Sequence, residues 1–357
     1  MNIAFFAVHT AFRPYGSGGI EAITKRLSQK INENDKLFLV RYGCRENSTR
    51  LHEDGTTIAD FVTFENAMSF MEDMDNIQVI LIYIKLLEKI KLTLRNIVKP
   101  GANFHRLITT YPRSHFRLIL DIVTSVLYTN GNLYVCSERL LKQASKFSRK
   151  VFLLLPPVSD CFFDHTSKRQ NSKSGLSVGF MGRIDYGKGA DLALNYFEKS
   201  NIDAHFKILG YGEEKDPFVQ EFKIKLDRVS EHKNISLVSS NPKANDLGSL
   251  IMDIDSVDVF ILPYRYLQST IDTPLVVLEL LVLGKKIIAS NIDELAQLDV
   301  ELDCRLCFAG LDSYKEIDRA IHNFLDLPTN LAKVTPNYSQ YSVRSVHKNL
   351  MQSFERR

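Results

Sequence analysis

Two patterns of apolar residues alternate along the chain: short unbroken runs, and longer stretches in which apolar residues return every third or fourth position. The first pattern reads as a strand buried on both faces, the second as an amphipathic helix. The chain opens with IAFFAV, passes through a glycine-containing loop at Tyr15-Gly16-Ser17-Gly18-Gly19, and continues with IEAITKRLSQKI at helical spacing. KLFLV at 36–40, VILIYI near 79–84, RLITTY near 106–111 and LYVC at 133–136 repeat the strand signal, each bounded by polar or turn residues. A Pro-Pro pair and a polar Ser/Lys/Asn stretch then break the pattern within LLLPPVSDCFFDHTSKRQNSKSG, as a linker would.

Beyond it the pattern restarts with LSVGFMG, a helix over 189–199, HFKILGYG, a helix near 216–232 and ISLVS. A helix near 246–253, DVFILPY, LVVLELLVLG and KKIIAS complete the second half. Strands alternating with helices predict an α/β fold of two Rossmann-like domains, 1–158 and 175–340, with a linker at 159–174. The last helix, about 341–357, can pack back on the first domain. Ligands of such sheets sit beyond the carboxyl ends of the strands, so an active site is expected in an interdomain cleft.

Composition narrows the class. With 357 residues, 45% hydrophobic and 24% charged, the chain is ordinary globular protein long enough for two cores. A formal charge of +3 gives no reason to expect nucleic acid as a partner. MNIAFFAVHTAF reads as a first strand and not as a secretion signal, and no apolar run reaches the roughly 18 residues of a membrane span, so a cytoplasmic protein is expected. Five scattered cysteines read as reduced thiols, and Cys304-x-x-Cys307 lacks companions for a metal site; no metal or cofactor is expected.

Residues 85–99, KLLEKIKLTLRNIVK, form a basic amphipathic helix with Lys85, Lys89, Lys91, Arg95 and Lys99 against Glu88. Two readings fit it: peripheral contact with an anionic inner membrane face, or a helix packed on the first sheet with its basic face solvated.

The densest chemistry lies in Gly179-Phe180-Met181-Gly182-Arg183-Ile184-Asp185-Tyr186-Gly187-Lys188-Gly189, between a predicted strand and a predicted helix. Glycines let backbone approach a ligand, a helix N-terminus favours anions, and Arg183 and Lys188 add two cations, as a diphosphate would need. Gly210 and Gly212 punctuate the next strand end, and Thr273, Pro274, Leu275 and Val276 lead into a helix carrying Glu279. Free amides at that turn can donate to phosphate or sugar oxygens, and a carboxylate can accept two ribose hydroxyls.

The order G-R-x-x-x-x-K-G, strand-GxG-E, D-V-F-I-L-P, P-L-V-V-L-E and G-K-x-I-I-A-S over about 175–292 resembles the retaining family-four glycosyltransferases of the GT-B fold. The resemblance implies that Arg183 and Lys188 bind the diphosphate of a UDP- or GDP-linked sugar and act with Glu279, which holds the ribose. It further implies that Gly18, Gly19, Gly182, Gly210, Gly212 and the 273–276 turn contact the donor, that no metal is needed, and that the acceptor is a glycan or lipid-linked molecule. The sequence departs from the family at two places: Ile271, beside Asp272, stands where a first glutamate is usual, and Tyr111 stands where a histidine is usual. Asp272, Tyr111, Arg113, His115 and His9 are therefore the candidates for sugar or acceptor contact, with a helix N-cap as the other reading of Asp272. A non-catalytic nucleotide-sugar-binding protein and a GT-B epimerase fit the same donor residues. A dehydrogenase does not, because the first strand and loop lack the tight G-x-G-x-x-G spacing.

Overall fold

The computed structural model describes residues 1–9, 19–98, 103–109, 115–129, 131–165, 175–239, 247–266, 272–302, 306–310, 314–326 and 338–355. The chain forms two compact units, one from Met1–Ser159, Thr270–Asp272 and Ser339–Arg357, the other from Asp160–Ser269 and Thr273–Tyr338. The described start of the expected linker, Asp160–Asp164, is helical and packs on the helices Leu247–Asp255 and Leu275–Val282 of the second unit.

In the first unit the strands are β1 (Asn2–Val8), β2 (Lys36–Tyr42), β3 (Ser48–Leu51), β4 (Thr57–Phe61), β5 (Ile77–Tyr83), β6 (Asn103–Ile108), β7 (Leu133–Val135) and β8 (Val151–Leu153). They form one sheet in the order β3-β4-β2-β1-β5-β6-β7-β8. Every pairing is parallel except β3 with β4. The unbroken apolar runs are explained by burial on both faces: Ile3, Ala4, Phe5, Phe6 and Ala7 of β1 have no solvent exposure. β3 was not expected, because STRL is short, polar and exposed along its length. The sheet order reverses between β1 and β5, which marks the carboxyl ends of these two strands as a place for a ligand.

The C-terminal helix, Val343–Glu355, belongs to this unit. Val343, Val346, Leu350 and Phe354 are buried at helical spacing. Asn132 Nδ2 donates to the Ser353 carbonyl at 2.8 Å, and the Tyr134 and Ser353 hydroxyls bond at 2.7 Å. The chain enters it through Val158, whose N–H donates to the Tyr341 carbonyl at 2.7 Å.

The basic stretch is helical over Leu86–Val98, with Lys85 exposed just before it. Lys89 pairs with Asp121 at 2.7 Å, and Lys91 pairs with Glu65. Leu92 is buried, while Leu87, Ile90 and Leu94 face solvent. Acidic residues on neighbouring helices draw the two lysines, and the apolar stripe is left outside. Among the described residues no helix is long and apolar enough to cross a membrane.

In the second unit β9 (Ser177–Arg183), β10 (His205–Tyr211), β11 (Ile235–Ser239), β12 (Val259–Leu262), β13 (Lys286–Ser290) and β14 (Cys307–Ala309) form a parallel sheet in the order β11-β10-β9-β12-β13-β14. Val178, Phe180, Phe206, Ile208, Val259 and Ile261 from its central strands make the core with Leu194 and Phe197 of the helix Ala190–Lys199. The order reverses between β9 and β12, so the loops that leave these strands define this sheet's ligand crevice.

Candidate functional site

Arg183 ends β9, and the loop behind it is organised by one carboxylate. Asp185 Oδ1 accepts the Lys188 backbone N–H at 2.7 Å, and Oδ2 accepts Arg183 Nε at 2.5 Å. The Asp185-x-x-Lys188 spacing thus closes a turn, and one carboxylate ties the Arg183 side chain to the Lys188 backbone. Gly189 follows with φ +67°, as the N-cap of Ala190–Lys199.

The loop is fixed to the one leaving β12. Arg265 donates its backbone N–H to the Gly187 carbonyl at 2.9 Å and Nη1 to the Tyr186 carbonyl at 2.8 Å. Its guanidinium makes a bidentate pair with Asp191, both bonds 2.7 Å, and lies 4.0 Å from the Tyr186 ring centroid. A planar fork gripping a carboxylate while stacked on an aromatic face is well suited to hold two loops in register. Sequence reasoning missed Asp185 and Arg265, although both follow directly from strands that meet at the order reversal.

Lys188 is only 8% exposed. Its Nζ stands 4.1 Å from the ring centroid of Tyr264. Burial pushes the ammonium down to about 7, with Asp185 opposing and Arg183 adding to the shift. An anion arriving at Nζ would restore the charged form, so the lysine is suited to receive negative charge and not to sit idle beside it.

Tyr264 is the third residue the sequence reading missed. It is fully buried, its carbonyl accepts from Ser290 Oγ at 2.6 Å, and its hydroxyl has no hydrogen-bond partner among the described residues. Burial first, then the charges of Asp185 and Glu279, push its ionisation well above the ordinary tyrosine range. The hydroxyl is therefore a permanent donor near both carboxylates. An unsatisfied buried donor costs about 1–3 kcal/mol unless a water or a ligand atom accepts from it.

Glu279 is buried on the helix Leu275–Val282. Pro274 is the N-cap of that helix, and its carbonyl accepts from Val277 at 3.1 Å and Leu278 at 3.3 Å. The Leu275 and Val276 amides precede the first intrahelical bond, so helix geometry leaves them available to an acceptor. Thr273 is buried beside them in sequence. Gly210 pairs in register with Gly182, and a Cβ at Gly212 would lie 2.5 Å from Val219, so Gly212 serves close packing.

Asp272 departs from its N-cap reading. It does not cap the helix, because Pro274 holds that position. Its carboxylate accepts Ser137 Oγ at 2.5 Å and Arg139 Nε at 2.6 Å, with a second bond from Arg139 Nη2. Its N–H donates to the Thr109 carbonyl at 2.7 Å. Both oxygens are committed within the first unit. His9 follows β1, donates its N–H to the Tyr42 carbonyl at 2.9 Å, and has a buried Nδ1 without a partner among the described residues. His115 begins the helix His115–Tyr128, and Gly19 begins Gly19–Asn34. Gly18, Tyr111, Arg113, Ile271 and Cys304 lie outside the described residues, as does the side chain of His115. Among the described residues no cluster of His, Cys, Asp and Glu could hold a metal ion.

Residues 175–326 match the family model for glycosyl transferases group 1, the span that contains Arg183, Lys188, Tyr264 and Glu279. No curated protein matches the chain by sequence. Solved structures match its fold. A glycosyltransferase from Rickettsia africae is 13% identical with a TM-score of 0.70, over 99% of this chain and 98% of that one. Anabaena HepE in complex with UDP and glucose is 10% identical with a TM-score of 0.71, over 99% of each chain. A UDP-forming α,α-trehalose-phosphate synthase from Burkholderia xenovorans in complex with glucose-6-phosphate is 10% identical with a TM-score of 0.66, again over 99% of each. The shared architecture is the GT-B fold of two Rossmann-like domains.

Proposed function

We propose that this chain is a retaining, metal-independent glycosyltransferase that moves a hexosyl unit from a UDP- or GDP-linked donor to a glycan or lipid-linked acceptor. The observation that carries the reading is the convergence, at the order reversal of the second sheet, of Arg183, the buried Lys188, the Tyr264 hydroxyl, unpaired among the described residues, and the buried Glu279. The family match over 175–326 and the UDP-bearing structural neighbours support it.

In this reading Arg183, Lys188 and the Leu275 and Val276 amides hold the diphosphate, and Glu279 accepts the ribose hydroxyls. The bond from the anomeric carbon to the diphosphate oxygen breaks while the bond to the acceptor oxygen forms. The negative charge that grows on the leaving phosphate is met by fixed donors, each worth a few kcal/mol in comparable sites. The acceptor's proton passes to that phosphate on the same face, which keeps the anomeric configuration.

The test is incubation with UDP- and GDP-sugars in the presence of a chelator, with and without an acceptor extract, followed by NMR of the anomeric proton. Transfer with the donor's configuration is expected. Donor conversion without acceptor would favour an epimerase, and binding without turnover a non-catalytic protein.

Tyr264→Phe refines the reading. Removing an unpaired buried hydroxyl is expected to leave the melting temperature of the free protein equal or slightly higher, and to weaken nucleoside-diphosphate binding about tenfold. A lowered melting temperature with unchanged affinity would assign the hydroxyl a purely structural role.

A further inference from the structure

A cavity of about 390 Å³ opens in the first unit where Val8, Ile82 and Ile108 bring β1, β5 and β6 to their carboxyl ends. It lies at that sheet's own order reversal. Among the described residues its charged lining is four cations, Lys85, Lys89, Arg106 and Arg117, against the single carboxylate of Asp121, a formal surplus of three.

That one carboxylate is already shared. It pairs with Lys89 at 2.7 Å and with Arg106 Nη2 at 3.2 Å. Burial alone would raise its ionisation, but Arg106 and Lys89 outweigh burial and hold it below the usual carboxylate range. Arg106 is fixed as well: Nη1 donates to the Leu81 carbonyl at 3.0 Å and to that of Leu107 at 2.7 Å. Among the described residues Lys85 and Arg117 have no acidic partner, and Glu88 on the neighbouring turn does not line the cavity.

The helices that carry Lys89 and Arg117, Leu86–Val98 and His115–Tyr128, pack against each other, while Lys85 lies just before the first and Arg106 on β6. Both turn apolar stripes to solvent: Leu87, Ile90 and Leu94 on one, Phe116, Leu120, Val123 and Leu127 on the other. Phe116 is 72% and Leu127 66% exposed, although the second helix also buries Leu118 and Ile122 on its opposite side. An exposed apolar stripe beside cations is complementary to an apolar, negatively charged surface.

We propose that the first unit binds a phosphate carried on a lipid, with the phosphate held in the cavity by Lys85 and Arg117 and the acyl region lying along the paired apolar stripes. This names the acceptor class for the transfer reading above and rests on it only for that role, because lipid-phosphate binding is measured without any nucleotide. Failure here leaves donor binding standing, and failure of donor binding leaves this site standing.

The experiment is co-sedimentation of the full chain with phosphatidylcholine vesicles with and without phosphatidic acid, alongside thermal shift with inorganic pyrophosphate in an Arg183→Ala, Lys188→Ala background that removes the diphosphate clamp of the second unit. Wild type is expected to sediment with the phosphatidic acid vesicles and not with phosphatidylcholine alone. Lys85→Ala with Arg117→Ala should weaken that binding at least about tenfold, as loss of two cations at an anionic surface implies. Leu120→Glu should also release the vesicles while keeping the pyrophosphate shift, which separates the lipid from the phosphate. A pyrophosphate response without vesicle binding would overturn the lipid assignment. So would equal binding to both vesicle types, an unchanged double variant, or a dimer that Leu120→Glu dissolves.

Discussion

Lys188→Ala is expected to lower turnover with a nucleotide-sugar by about a hundred- to a thousandfold, the loss typical when one fixed donor to a developing anion is removed. The lysine is nearly inaccessible, backed by the Tyr264 ring at 4.1 Å, and its turn is locked by Asp185. Neither bulk water nor a neighbouring surface cation can take its place at the buried position. Its pH behaviour gives a second reading of the same variant. With the ammonium pushed down to about 7 in the free protein, nucleoside-diphosphate affinity should be level below that pH and fall as pH rises through it. Lys188→Ala should flatten the profile. Stability moves the other way: between about 7 and the ordinary 10.5 the unfolded chain keeps a proton that the folded chain has shed. This group therefore favours folding increasingly across that window as pH rises. Unchanged rate, affinity and pH profile in the variant would remove Lys188 from the donor site.

Gly189→Ala is expected to destabilise the second unit by about 3 kcal/mol or more, combining a left-handed backbone with a steric conflict. At φ +67° the residue sits where side chains are disfavoured, and a Cβ would stand 1.9 Å from the Pro263 carbonyl oxygen. That oxygen is backbone at the end of β12, so it cannot swing aside. Gly284 is the internal comparison, with φ +68° and nothing within 4 Å of its Cβ. Gly284→Ala should cost only the backbone preference, about 1–2 kcal/mol. Urea unfolding of both variants measures the difference, and nucleotide binding by Gly189→Ala should fall with it because the same carbonyl contact seats the Lys188 loop. Equal midpoints for the two variants would show that the loop yields easily.

Much of this was legible in the chain itself. IAFFAV and DVFILP read as strands because a sheet covered on both faces requires unbroken apolar runs, and both are central strands of their sheets. The donor loop was legible because glycines and cations followed a strand and preceded a helix. Asp272 was not, because its partners Ser137 and Arg139 lie 135 and 133 positions away and no local spacing announces them. Tyr264 resembled core, since an aromatic residue after an apolar strand usually is; only the absence of a partner for its buried hydroxyl among the described residues marks it out. The helix Leu86–Val98 shows a different limit. Its period marks the helix and its apolar stripe, but not whether that stripe faces the sheet: Leu92 is buried while Leu87, Ile90 and Leu94 are exposed. β3 and β14 are too short, at 4 and 3 residues, to impose a period at all.

The most direct test of donor binding is calorimetric titration of UDP and of GDP into the wild-type chain, in the presence of a chelator, at pH values on either side of 7. Expected is one-to-one binding of at least one nucleoside diphosphate that survives the chelator and weakens above pH 7. Absence of heat with both nucleotides at millimolar concentration, or binding that requires a divalent cation, would contradict it.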